Sequence, residues 1–559
     1  MAYKNQQEFI RALEVAGELV RIRSFVNPRL EMAEITDRVS KSGHGGKALL
    51  FENTGTDFPV LMNAYGSERR MCMALGVQHL DDTTREIEAL FKLLSGPKEG
   101  ILDKLRLLPK LGQFASWMPT IRTGRGDCQE MVMPTPDISK LPVITCWPRD
   151  GGPFVTLPII HTRDLHTGIR NVGMYRMQVF GPTLTGMHWH KHKVSARHFA
   201  EYRKTGQRMP VAVALGGDPV YAYSATAPLP DNVDEYMLAG FLRKKRVELV
   251  KCLTQPAIEV PADADFIIEG FIDPTEDPIW EGPFGDHTGY YSLPDWYPRF
   301  HITAITHRKN PVYPATIVGI PPQEDAWLGK ATERIFLAPI KMTLVPEIID
   351  MEMPIEGVFH NLVIAKIRKE YAGQGQKVMN AMWGAGQMMF NKILVVTDEA
   401  AISATMWISP AMFSSIGTPP PMSISPRARW TCWTIAAANW ASAAKCVSTA
   451  PQRPLKRKTT ATNGRSRQNP LISIPSSKPV SLTSGTAIAR FWRTASPSFS
   501  SPFEKTDPTI SASSTKPSPG CPNWKVLSLS PMLSTPSIPP TFQPPSGASA
   551  IILTRNAIT

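Results

Sequence analysis

The chain has no apolar run of the ~18 residues that a membrane-spanning helix needs. Its first residues, Met-Ala-Tyr-Lys-Asn-Gln-Gln-Glu, lack the apolar stretch of a secretory leader. None of its seven cysteines forms a Cys-x-x-Cys pair. This removes the spacings of zinc ribbons and thioredoxin-like sites and fits a reducing compartment. A soluble, cytoplasmic protein is expected, at most peripheral to membranes. Acids are missing in one place only. Residues 400–559 hold 16 Lys and Arg against two acids, Glu504 and Asp507, and carry +14. The remaining 45 basic and 46 acidic residues leave the body at −1. The net +13 is therefore not a basic face on a folded domain, and no nucleic-acid partner is expected.

At 559 residues the chain is long enough for two to four domains. Up to Glu399 it is well patterned. Gln6–Val20 has apolar residues at helical spacing. Lys47–Phe51, Val60–Asn63 and Lys392–Val396 read as strands, with a β-rich centre from about Pro153 to Pro314. The fold class expected is α+β. From Ala400 the periodicity stops, and Pro, Ser, Thr, Ala and Arg dominate. Six tryptophans and three cysteines lie there without pattern. A disordered basic tail is one reading. A shifted reading frame is the other. Back-translated and read two bases later, Trp430-Thr-Cys-Trp-Thr becomes compatible with an Asp-(Leu/Met/Val)-Leu-Asp string. The residues from Trp440 to Thr449 become compatible with Gly-Phe-Gly-Gly-Lys-Met-Cys-Ile-Asp.

Two segments carry candidate chemistry. In Glu281-Gly-Pro-Phe-Gly-Asp286-His-Thr-Gly-Tyr-Tyr, two acids stand five residues apart on a loop that Pro283 and the glycines keep from being helical. Alone, such a loop is more often a turn with solvated acids. It suits proton transfer if surroundings separate the two pKa values. The second segment runs from Asn171 through Arg176 and Gln178 to His188, His190 and His192. Tyr175–Phe180 alternates like a strand, with a turn at Gly181-Pro182. A second strand would put the three histidines on one face, ~7 Å apart stepwise. That is too wide for one ion. A single histidine joined by an asparagine and a carboxylate is more credible, and oxygen ligands favour Mn²⁺ or Mg²⁺ over zinc. The run Arg243-Lys-Lys-Arg246 reads as a solvated helix end.

The order Asn-x4-Arg-x-Gln-x2-Gly, then Trp189 and His192, then Asp234-Glu235-Tyr-x2-Ala-Gly, then Glu-Gly-Pro-Phe-Gly-Asp-His-Thr-Gly-Tyr-Tyr resembles the UbiD family of decarboxylases, which use prenylated FMN. Gly46–Asn53 and Tyr371–Val378 match family segments too, and the resemblance covers about residues 5–399. It extends into the shifted tail, where family members carry Gly-Pro-Leu-Asp-x-Leu-Asp.

The resemblance implies an N-terminal α/β region (1–120), a central split β-barrel that binds the flavin (121–310), and a C-terminal α/β domain (311–399) cut short by the aberrant tail (400–559). It implies Arg176, Glu281 and Asp286 as the catalytic triad, with Asp286 the proton donor. Met174, Tyr175, Arg176, His188, Trp189 and His190 would line the cofactor. Asn171, His192 and Glu235 would bind Mn²⁺ or Mg²⁺, and Ser224, Ala225 and Ala227 a potassium ion. The substrate class is an aromatic or α,β-unsaturated acid, such as a prenylated 4-hydroxybenzoate-type quinone precursor. A flavin prenyltransferase would supply the cofactor. Family members form homo-oligomers through terminal helices that this tail does not provide.

Overall fold

A computed structural model describes residues 2–95 and 112–399, and the backbone of three further strands, Arg429–Thr431, Val447–Thr449 and Ala550–Thr554. The expectations of a disordered or frameshifted tail otherwise lie outside the described residues. The chain divides into two compact units. One comprises residues 1–422, 445–447 and 536–559, and it carries every candidate site residue. The other comprises residues 423–444 and 448–535, and its described part includes the strand Arg429–Thr431.

In the first unit, the helix Gln6–Val15 starts where the Asn5 side chain accepts the Glu8 N–H at 3.0 Å, satisfying one of the free first-turn donors. Its apolar stripe, Phe9, Ile10 and Leu13, is buried. Behind it a four-stranded sheet runs in the order Leu19–Phe25, Ala48–Asn53, Val60–Met62, Tyr313–Pro314. The last strand comes from the far end of the β-rich centre.

Most strands of that centre belong to one nine-stranded sheet. Met209–Leu215 shows why it forms. Val211, Val213 and Leu215 enter one apolar core, while Ala212 and Ala214 enter another on the opposite face. This is the two-residue alternation of a strand buried on both sides. Around it the order is Phe154–Val155, Met177–Gly181, Leu184–Gly186, Arg299–His307, Phe266–Ile272, Met209–Leu215, Ile159–Arg163, Arg170–Met174. Met131–Val132 joins Arg299–His307 off this path. Arg170–Met174 ends one side of the order, and Met177–Gly181 is next to the last on the other. Only Tyr175 and Arg176 connect them, and the three residue steps from Met174 to Met177 span at most ~11 Å. The sheet must therefore curl until its two sides nearly meet. The outcome is a mixed α/β fold around a curled half-barrel.

This corrects one expectation. Tyr175–Phe180 is not a single strand, because the alternation breaks at Tyr175–Arg176, where the chain crosses between sheet edges. The run at Arg243 is also not simply solvated. Arg243 is buried, with Nε 2.9 Å from Asp218 Oδ2 and Nη1 donating to Tyr221 Oη at 2.9 Å.

The C-terminal sheet pairs Ile348–Glu352, Leu362–Ile367 and Ile393–Thr397, and the backbone of Ala550–Thr554 adds antiparallel to the last. Val363, Ala365, Leu394 and Val396 form its core with Val378, Met379 and Met382 of the helix Gln374–Trp383.

Candidate active site

Arg176 occupies the crossing between the two sheet edges, where no strand ladder claims its side chain. Opposite it, Ile279–Glu281 pairs antiparallel with Asp295–Tyr297, with Glu281 facing Asp295. The acid-bearing loop is the connection of this hairpin. Asp150, which the sequence reading did not single out, shapes it. Its carboxylate accepts the N–H of Gly285 at 2.7 Å, and those of Trp147 at 2.9 Å and Cys146 at 3.1 Å. Gln178 Oε1 accepts the Gly282 N–H at 2.7 Å. Two glycines are required. Gly282 has φ +99°, and a Cβ on Gly285 would lie 2.0 Å from Trp147 Cδ1.

This scaffold brings the three predicted residues together. Arg176 Nε lies 3.2 Å from Glu281 Oε1, Nη1 lies 3.3 Å from Asp286 Oδ2, and Nη2 donates to Ser292 Oγ at 3.0 Å. The guanidinium carbon sits 4.6 Å from the centre of the Phe284 ring. Glu281 is fully buried. His188 Nδ1 lies 2.7 Å from the same Oε1, while Oε2 is buried without a protein partner. A Cβ on Gly186 would lie 3.4 Å from Oε2.

Asp286 is in a different state from an ordinary loop carboxyl. Burial alone would raise its pKa. The hydrogen bond and charge of His287, then the charge of Arg176, hold it well below the usual range. Its Oδ1 meets His287 Nδ1 at 2.8 Å and the His287 N–H at 2.8 Å. His287 Nε2 meets His360 Nε2 at 2.8 Å. Sequence reasoning missed His360, which stands 73 residues further along with no motif around it.

The metal and cofactor candidates are placed unevenly. Asp234 caps the helix Glu235–Arg243 by accepting the Tyr236 N–H at 2.9 Å, which puts Glu235 in the first turn. Glu235 Oε2 accepts the N–H of Val172, the residue after Asn171, at 2.9 Å. Burial pushes the Glu235 carboxyl up to about 8, against the pull of the Val172 N–H and Arg170. Asn171 Nδ2 donates to Ser195 Oγ at 3.0 Å. His192 is exposed, with its ring 5.6 Å from His190 and 4.8 Å from Phe390. The histidines do not share a strand face, because the strand ends at Gly186. They follow on irregular backbone, and the His188 and His190 rings are 4.9 Å apart. Tyr175 and Trp189 are core residues, 6.3 Å apart edge to face, and Met174 packs against the neighbouring core. Among the described residues no group of three or more His, Cys, Asp or Glu could hold a metal ion. The amide and carboxylate at Asn171 and Glu235, with the buried, unpartnered Ser224 Oγ, are oxygen donors suited to a hard cation. Glu281 Oε2, buried without a protein partner, is an acceptor suited to a bound organic group.

Comparison with known proteins agrees with this architecture. Residues 10–91, 120–321 and 326–408 match the N-terminal, Rift-related and C-terminal domain models of 3-octaprenyl-4-hydroxybenzoate carboxy-lyase (UbiD). An uncharacterized protein of Archaeoglobus fulgidus is 51% identical over 401 residues, covering 71% of this chain and 81% of that protein. One of Aquifex aeolicus is 46% identical over 399 residues, with the same coverage. Among solved structures, an evolved dimeric form of the UbiD-class enzyme HmfF from Pelotomaculum thermopropionicum, in complex with prFMN, matches with TM-score 0.63 and 26% identity. It covers 77% of this chain and 92% of that one. Vanillic acid decarboxylase of Sedimentibacter hydroxybenzoicus in closed form matches at TM-score 0.66 and 22% identity, over 83% and 97%, and shares the fold.

Proposed function

We propose, from the premise that this chain belongs to the UbiD carboxy-lyase family, that Arg176, Glu281 and Asp286 decarboxylate an aromatic or α,β-unsaturated acid. The observation that carries this reading is one guanidinium bridging two carboxylates in different surroundings. Arg176 orients the substrate carboxylate through charge-assisted bonds. Glu281, fully buried between Arg176 and His188, presents Oε2 to the bound substrate. Asp286 delivers a proton to the carbon that loses CO₂. When bound, prenylated FMN supplies the electron sink. Met174, Tyr175, Arg176, His188, Trp189 and His190 belong to the segments that would hold it. Asn171 and Glu235, with His192 as third ligand, would take Mn²⁺ or Mg²⁺. A potassium ion would lie at Ser224, Ala225 and Ala227. A prenylated 4-hydroxybenzoate-type quinone precursor is the substrate we favour, and a flavin prenyltransferase is the supplier of the cofactor.

The test is expression beside a flavin prenyltransferase, followed by flavin absorbance and CO₂ release from 4-hydroxybenzoate, vanillate, 3,4-dihydroxybenzoate and cinnamate. Release that depends on the loaded flavin and is lost in Arg176→Ala is expected. A protein that retains flavin yet releases no CO₂ from any acid, in this chain and in a frame-restored one, would overturn the reading.

A further inference from the structure

We infer that His287, held between Asp286 and His360, is the proton store of the site, a positioning residue that recharges Asp286 with the proton each decarboxylation consumes. The inference deepens the reading above and rests on Asp286 being the proton donor.

Asp286 alone is poorly suited to that task. Each contact described for it is a donor: Arg176 at Oδ2, and the ring and backbone N–H of His287 at Oδ1. Donors stabilise the anion, so the resting carboxylate carries no proton to give. The imidazole beside it does. Its two nitrogens meet Asp286 Oδ1 and His360 Nε2, both at 2.8 Å. Two ring nitrogens at that distance share one proton, and burial, reinforced by the charge on His287, keeps His360 neutral by lowering it to about 3. The shared proton therefore resides on His287 Nε2. The Nδ1 proton is held by the carboxylate. With both nitrogens protonated, the ring is an imidazolium.

The groups around the ring agree. Burial and the Arg176 charge oppose a cation there, but Asp286 and the half-buried Asp325 outweigh them, and the His287 pKa is raised. Asp325 Oδ2 has no protein partner and lies near enough to act on the same charge. On the far side, Lys392 adds to the pressure against a charge on His360. His360 precedes the strand Leu362–Ile367, and its carbonyl accepts from Asn391 Nδ2 at 3.3 Å. The C-terminal sheet thus sets the orientation of a ring in the central half-barrel.

The step balances. The His287 Nδ1–H bond breaks and an O–H bond forms on Asp286 Oδ1, so an ion pair becomes two neutral groups. His287 keeps its Nε2 proton against His360. Asp286 passes its new proton to the substrate carbon. Water restores the Nδ1 proton, since the His287 side chain is 32% exposed. One solvent proton enters for each CO₂ released.

Two measurements test this. In the full chain labelled with ¹⁵N-histidine, one imidazole that stays doubly protonated above the ordinary histidine midpoint of about 6.5 is expected. It should vanish in His287→Gln, and its midpoint should fall by at least one pH unit in Asp286→Asn. In flavin-loaded protein, His287→Gln should lower kcat at least tenfold with KM within twofold, and should remove the limb of the pH profile that His287 sets. Exchange of ¹³CO₂ into 4-hydroxybenzoate, which needs carbon–carbon cleavage but no proton delivery, should persist. A His287 midpoint at or below 6.5, or an unchanged kcat and pH profile in His287→Gln, overturns the inference. Absence of exchange in the wild type with every acid tested above, in this chain and in a frame-restored one, instead sinks the decarboxylase reading, and the histidine midpoint still decides the protonation claim on its own.

Discussion

His188 Nδ1 lies 2.7 Å from Glu281 Oε1, across 93 residues of sequence. The oxygen it meets is the one Arg176 also reaches. Both protein partners therefore hold one edge of a buried carboxylate, and the other oxygen is left for whatever enters the site.

That asymmetry makes Glu281→Gln informative. The amide keeps the shape but loses the negative charge that His188 and Arg176 converge on. Turnover should fall at least about a hundredfold, the scale of a lost acid–base group, while flavin absorbance of the loaded protein is unchanged. Retained turnover removes Glu281 from the mechanism.

Gly285→Ala should damage the loop without touching a charged group. The new Cβ would lie 2.0 Å from Trp147 Cδ1. The Trp147 ring is itself tied by its indole N–H to the Val318 carbonyl at 2.8 Å. Overpacking of this kind costs about 1–3 kcal/mol. A lowered midpoint in denaturant and a large loss of turnover should appear together. An unchanged midpoint would show that Trp147 yields freely.

The depressed pKa of Asp286 has a pH signature. A carboxyl whose folded pKa lies below its unfolded value contributes stability above the unfolded value, about 4. The contribution is lost as pH falls through the folded one. Asp286→Asn should therefore be less stable than the wild type at pH 7, and the gap should narrow as pH falls below the unfolded value of about 4. Thermal melts across that range check it, and a gap that persists in acid would assign the effect to packing instead.

Metal binding can be read apart from activity. Addition of Mn²⁺ should raise the melting temperature of the flavin-free protein, because ligands of the folded state stabilise it by mass action. Glu235→Gln should abolish the rise. A rise of equal size in the variant would place the ion elsewhere.

The segment after residue 399 has a test at the level of the gene. The frame reading predicts a one- or two-base insertion or deletion near codon 400. The C-terminal family match covers residues 326–408. An intact frame in independently sequenced DNA would leave a genuine low-complexity tail.

Local pattern was enough for the parts of this protein that depend on neighbours in sequence. Alternation located the buried strands, and helical spacing over Gln6–Val20 located the first helix, which ends at Val15 before the strand Leu19–Phe25 takes Val20. The loop acids and Arg176 stood in motifs that survive as strings. Other features depend on which distant segments meet. A two-residue alternation cannot show that Tyr175–Arg176 crosses between sheet edges, because the residues on both sides are strand-like. Arg243 looked solvated beside Lys244 and Lys245, and the approach of Asp218, Tyr221 and the Tyr3 carbonyl makes its burial tolerable. Asp150, His188 and His360 act through hydrogen bonds that close when the half-barrel curls and the C-terminal sheet docks. The sequence by itself determined which groups this protein has for chemistry. Tertiary structure decided their protonation, because a carboxyl's pKa follows its burial and the charges packed against it, and those come from elsewhere in the chain.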